Sequence, residues 1–177
     1  MANVNNPYGL LHIGTSLSGG PLTIQRFPKL VGYATAIFMN DPVNRVSGGS
    51  IQASATPGTS FYSGVSLEYS AASTAATPAI VISPDALYTA QDSGANSPYL
   101  TAAQMGLNAN LLSGAGSTTT KQSAWVIDDT NATVTTTNTL DVHLLQAWTS
   151  PDNVYGQYAR IEIVFNKQRM SGATVGV

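Results

Sequence analysis

With 177 residues, no cysteine and a net charge of −2, the chain has the length of one domain and no thiol for a disulfide, a metal site or a nucleophile. Only 9% of its residues are charged; 18 Ser, 20 Thr, 12 Asn and 8 Gln supply the polarity instead, and seven scattered cations exclude nucleic acid and an anionic membrane surface as expected partners. At 43% hydrophobic it is too apolar for disorder, no apolar run approaches the ~18 residues of a membrane span, and the start MANVNNPYGL predicts no secretory leader.

Residues 1–20 read as an extended arm. Asn5-Asn6-Pro7 and Gly14 to Gly20 carry loop chemistry, and Leu10, Leu11, Ile13 and Leu17 are its apolar anchors. Strand-like segments follow from Pro21. Leu22, Ile24 and Phe27 are spaced by polar residues, and Tyr33 to Met39 is rich in β formers up to the turn Asn40-Asp41-Pro42. Val43 to Val46 and Ser50 to Ser54 are short strands. Phe61 to Tyr69 alternates over nine residues, which predicts a half-buried strand. Residues 70–78 read as a loop, and Ala79 to Ile82 as a buried strand. Leu87-Tyr88 begins another strand, which ends near Asp92-Ser93-Gly94.

Thr101 to Asn110 is the only helical signal, and Gly106 limits it to a turn or two. Ser123 to Asp128, Leu140 to Trp148 and Tyr158 to Phe165 are the strongest strands of the last third. In the last of these, Ala159, Ile161, Ile163 and Phe165 face the core, while Arg160 and Glu162 share a solvated face. Short strands with turns about every 8 to 12 residues predict an all-β fold, a small antiparallel barrel or jelly-roll-like sandwich. Residues 21–165 form its single domain, after the arm and before a tail at 166–177. Strands this poor in lysine lack the usual edge protection, so their edges are expected to be covered by another element or a partner.

Catalytic and ligand motifs are weak. Gly114-Ala115-Gly116-Ser117-Thr118-Thr119-Thr120-Lys121 resembles a phosphate loop, but Thr120 stands where Gly must precede Lys, and Gln122 replaces the magnesium ligand. It reads as a surface loop. Asp128-Asp129 is the only adjacent carboxylate pair; on a strand its members point apart, and Thr130-Asn131 after them signals a turn. The spacing lacks the alternating oxygens of a calcium loop. His143 lies in a strand with Asp141 two residues before it, and no nucleophile elbow accompanies them. Asn131-Ala132-Thr133 is a sequon without a secretory context. No enzymatic role, cofactor or metal is expected. Most aromatics are expected in the core, with Trp125 or Trp148 available for a sugar platform. Tyr8, between Pro7 and Gly9-Leu10, is suited to anchor in a groove of another surface or to fold back on its own domain.

Three groups of residues carry a resemblance. They are Asn6-Pro7-Tyr8-Gly9-Leu10; Ala36-Ile37-Phe38-Met39-Asn40-Asp41-Pro42-Val43; and, in the C-terminal half, Gly106-Leu107-Asn108-Ala109-Asn110, Gly114 to Thr120, and Pro151-Asp152-Asn153 before Gly156-Gln157-Tyr158-Ala159. In order and spacing they resemble the capsid cement, or decoration, proteins of tailed-bacteriophage heads. The likeness covers most of the chain and is best from about residue 100 to 170. The acidic stretch of that family after the central strands is reduced here to Asp92-Ser93-Gly94-Ala95-Asn96.

The resemblance implies a β-rich virion structural protein, made in the bacterial host cytoplasm. It would sit on the outer surface of the head and bridge major capsid subunits, alongside further copies of itself. Asn6, Pro7, Tyr8, Leu10 and Leu11 of the arm, with Lys167 and Arg169 of the tail, are the expected capsid contacts. Many weak contacts repeated on a lattice act through avidity, so low charge is no handicap. A carbohydrate-binding or tail-associated receptor-binding β module is the alternative that the aromatics suggest.

Overall fold

The computed structural model describes residues 3–55, 57, 61–95, 99–130 and 134–168. Two five-stranded antiparallel sheets form an open sandwich, not a closed barrel. The first has the order β1-β7-β12-β11-β8, with β1 Leu11–Ser16, β7 Ala86–Gln91, β12 Arg160–Phe165, β11 Val142–Ala147 and β8 Asn108–Ala109. The second runs β2-β6-β5-β3-β4, with β2 Ile24–Arg26, β6 Ala79–Val81, β5 Gly64–Ser66, β3 Pro42–Arg45 and β4 Ile51–Ala53. A small ribbon pairs β9 Leu111–Leu112 with β10 Val126–Ile127. The helical signal becomes a single 3-10 turn at Ala102–Gln104, closed by a capping box between Thr101 and Gln104.

The main core lies between the sheets. Val65 and Val81 of the second sheet meet Tyr88, Leu144, Ile161 and Ile163 of the first. Phe165 joins them, its ring centroid 4.8 Å from Tyr62 and 5.3 Å from Tyr88. A second cluster, including Phe27, Ile37, Val43, Ile51 and Ile80, covers the other face of the second sheet. That sheet is therefore apolar on both sides, which is why Ala79 to Ile82 is apolar throughout.

Double coverage also overturns the predicted alternation of Phe61 to Tyr69. Residues 62–66 are all buried, and only Gly64–Ser66 is a strand. Tyr33 to Met39 is not a regular strand; it crosses the second sheet through single bridges from Ile37 to Ser70 and from Met39 to Gln122.

The outer face of the first sheet is the part that positions a site. Leu11, Thr89, Glu162 and Gln146 lie in one row across it, and Gln91 lies beside Arg160. Thr89, Gln91 and Glu162 are nevertheless buried, so this face is covered. Glu162 is not solvated with Arg160 as expected; it accepts a hydrogen bond from Gln146 Nε2 at 3.0 Å, and Arg160 pairs with Asp152 instead.

At the edge, β1 carries a register shift between His12 and Ser16, with Gly14 inside it at φ +84°. Bulges of this kind bend an edge strand away from further pairing, a protection that needs no lysine.

Candidate functional site

The residues expected as an arm divide in two. Residues 11–16 are β1, and residues 3–8 lie across the outer face of the first sheet. Asn3 ties the near end down: its Nδ2 donates to the carbonyls of Val154 and Gln157 at 2.8 and 2.9 Å, and its Oδ1 accepts from Val154 N at 3.1 Å. Asn6 N donates to Gln91 Oε1 at 3.1 Å, and the Tyr8 hydroxyl lies 3.2 Å from Thr89 Oγ1. Burial against the sheet holds the Tyr8 phenol above its ordinary pKa. Asn40 Nδ2 donates to Tyr8 O at 3.0 Å. Gly9 then turns inward at φ +76°, where a Cβ would stand 2.4 Å from Ser123 Cβ and 2.6 Å from Asn40 O. Only glycine fits there. Leu10 follows into the main core with no exposure.

The expected contact residues thus separate. Leu10 belongs to the core. Tyr8 folds back on its own domain and is half-buried. Asn6 and Leu11 remain on the surface, and Pro7 is half-buried. Lys167 turns inward: its Nζ lies 3.9 Å from Oδ1 of the buried Asp141. Arg169 lies outside the described residues, as does the Asn131-Ala132-Thr133 sequon.

Two adjoining depressions flank the arm and share Asn6, Tyr8 and Arg160. The larger, about 350 Å³, is walled by Leu11, Ile13, Gln122 and Trp148; the smaller, about 240 Å³, reaches Asp152 and Tyr158. One side chain braces both. Asn153 Nδ2 donates to Trp148 O at 2.8 Å and to Arg160 O at 2.9 Å, while its Oδ1 accepts from Arg160 N at 2.8 Å. Arg160 Nη2 is 2.7 Å from Asp152 Oδ1. The pair holds the Asp152 carboxyl below its usual range, after a first and larger contribution from the Ser150 hydroxyl.

The other charges are also engaged within the chain. Arg26 forms a two-pronged pair with Glu68 at 2.9 and 2.6 Å. Buried Lys29 donates to Ala71 O. Arg45 lies 5.2 Å above the Phe27 ring, and Lys121 lies 4.6 Å above the Tyr69 ring. Among the described residues every cation therefore has an internal partner. The phosphate-loop look of 114–121 has the same kind of explanation, because a Cβ on Gly116 would stand 2.3 Å from the Phe38 ring. That glycine serves close packing.

Asp128 and Asp129 point to different partners, as the sequence suggests. Asp128 closes its own turn, accepting from Thr130 N at 3.0 Å and Thr130 Oγ1 at 2.6 Å. Asp129 instead contacts Asp92, and both are buried. Asp92 also accepts from Gly94 N at 2.7 Å and Leu100 N at 3.4 Å. Burial first, and then the neighbouring Asp129, push its carboxyl up to about 7. Asp41, buried beside Phe38 and Ser123, is pushed up by burial to about 6.

His143 does not use Asp141; its Nδ1 lies 2.9 Å from Asn108 Oδ1. Asp141 accepts from Leu111 N at 2.9 Å. Trp125 is core, while Trp148 stays half-buried at the depression. Among the described residues, no three His, Cys, Asp or Glu side chains are grouped to hold a metal.

Comparison with protein-family models, curated proteins and solved structures returns no match.

Proposed function

We propose that this chain is a structural adhesive of a tailed-phage head, binding the outer capsid surface and bridging major capsid subunits in company with further copies of itself. The ordered segments that resemble head cement proteins suggest this reading, and one feature of the fold carries it. β1 and β2 are edge strands of the two sheets, joined through residues 17–23, which hydrogen-bond to the turn between β6 and β7. The flank they form presents Leu11, Leu17 and Ile24 at 43%, 55% and 53% exposure. With the described cations engaged internally, adhesion at this flank rests on apolar burial and amide hydrogen bonds. Such contacts are weak singly and strong when repeated over a lattice.

Copy number in purified particles tests the proposal. Hundreds of chains per particle, located on the head by electron microscopy, are expected. A handful per particle at the tail would overturn it in favour of receptor binding, and none would refute both. Deleting residues 2–12 is a poor probe, because it removes Leu10 from the core. The double variant Leu17→Asn with Ile24→Thr leaves the core intact. It should weaken binding to heads at least about tenfold with little change in stability.

A further inference from the structure

We propose that the larger depression beside the arm is a binding site for a neutral saccharide, with Trp148 and Tyr8 as its ring surfaces and Asn6, Gln122 and Arg160 as its hydrogen-bonding groups. The size, about 350 Å³, lies in the range of small-ligand sites. Its polar groups are of the right kind. A sugar hydroxyl both donates and accepts, and a carboxamide answers both needs. The side-chain amides of Asn6 and Gln122 and the indole N–H of Trp148 make no hydrogen bond within the described residues. All three residues line the depression, with that capacity unspent.

The apolar half matches as well. The C–H face of a pyranose carries slight positive charge, and the faces of Trp and Tyr rings are negative. Arg160 adds donors, but Asp152 balances its charge, so the site favours a neutral ligand over a polyanion. The walls are also fixed in advance. Tyr8 is held at its hydroxyl and its carbonyl, and Asn153 clamps Trp148 and Arg160. Little ordering cost remains for binding.

A peptide is a poorer match. It would need a row of backbone donors and acceptors, whereas this floor is made of side chains on a sheet face.

The test uses the full chain and a panel of neutral oligosaccharides built from glucose, galactose, mannose and N-acetylhexosamines, with trigalacturonate as the acidic arm. Trp148 and the core Trp125 are the only tryptophans, so emission reports on Trp148 against a buried reference. At least one neutral oligosaccharide is expected to shift the emission with a Kd tighter than about 1 mM. Gln122→Ala should weaken it about tenfold or more while the unfolding midpoint stays put, and Trp148→Ala should abolish it, as read by ligand-observed NMR.

No binding by any panel member overturns the proposal. So does preference for trigalacturonate, or binding that survives both substitutions. An emission shift caused by heads but by no saccharide would make the depression a protein contact and equally overturn it. These outcomes leave the adhesive reading untouched, since that reading is decided by copy number on particles.

Discussion

Asp92→Asn offers the sharpest test of the physical account. In the folded chain Asp92 and Asp129 are buried together, and the Asp92 carboxyl rises from 3.8 to about 7. The unfolded chain releases that proton near pH 4. Between about pH 4 and 7 the folded state therefore binds more protons, and its stability falls as pH rises. A rise of about three pH units, at about 1.4 kcal/mol each, sets an upper scale of about 4 kcal/mol lost by pH 8.

Asparagine imitates the protonated acid. Its Oδ1 still accepts from Gly94 N, and its amide is a donor available to Asp129, as the protonated acid is. It gives up only the long 3.4 Å bond from Leu100 N. Urea unfolding followed by tryptophan emission at pH 5 and pH 8 measures the effect. D92N should sit within about 1 kcal/mol of the parent at pH 5 and exceed it by about 2 to 4 kcal/mol at pH 8. A residual slope should persist in D92N, because Asp41 is also raised, to about 6. Equal destabilisation of D92N at both pH values would refute the raised Asp92 carboxyl.

Gly9→Ala forces a left-handed backbone on a residue with a Cβ and drives that Cβ into Ser123. It should cost more than about 2 kcal/mol in thermal or urea unfolding. Leu10→Ala should cost about 2 to 5 kcal/mol, whereas Leu11→Ala, one residue on and exposed, should change unfolding by no more than about 0.5 kcal/mol. Lys167→Met leaves the buried Asp141 without its cation and should destabilise by about 3 kcal/mol at neutral pH, an effect that a double variant with Asp141→Asn should largely relieve.

Much of the fold was legible along the chain, and the misses have common causes. In Tyr158 to Phe165 the expected core residues Ala159, Ile161, Ile163 and Phe165 are buried, but so are Glu162 and Val164 on the opposite face. Phe61 to Tyr69 also alternates, yet the second sheet is packed on both faces, so its period carried no information about burial. Thr89, Gln91 and Glu162 look like solvent-facing residues and are buried, because the arm and neighbouring side chains cover that face. Of the site, Tyr8 stood out by its place in the arm, and Trp148 was named only together with Trp125, which proves to be core. Gln122, Asn153 and Arg160 gave no signal, since their roles depend on neighbours far away in the chain.

Composition and local pattern were enough to determine the β class, most turns, the scarcity of helix and the shortage of charge. These follow from propensity, period and counting, which act over a few residues. Where the scarce charges go was decided only in three dimensions. Asp92 meets Asp129, Lys167 meets Asp141, and Arg26 meets Glu68 across 42 positions. Such pairings are set by sheet order and by the path of the arm. No local rule fixes either one, because each is selected by the burial of the whole core at once.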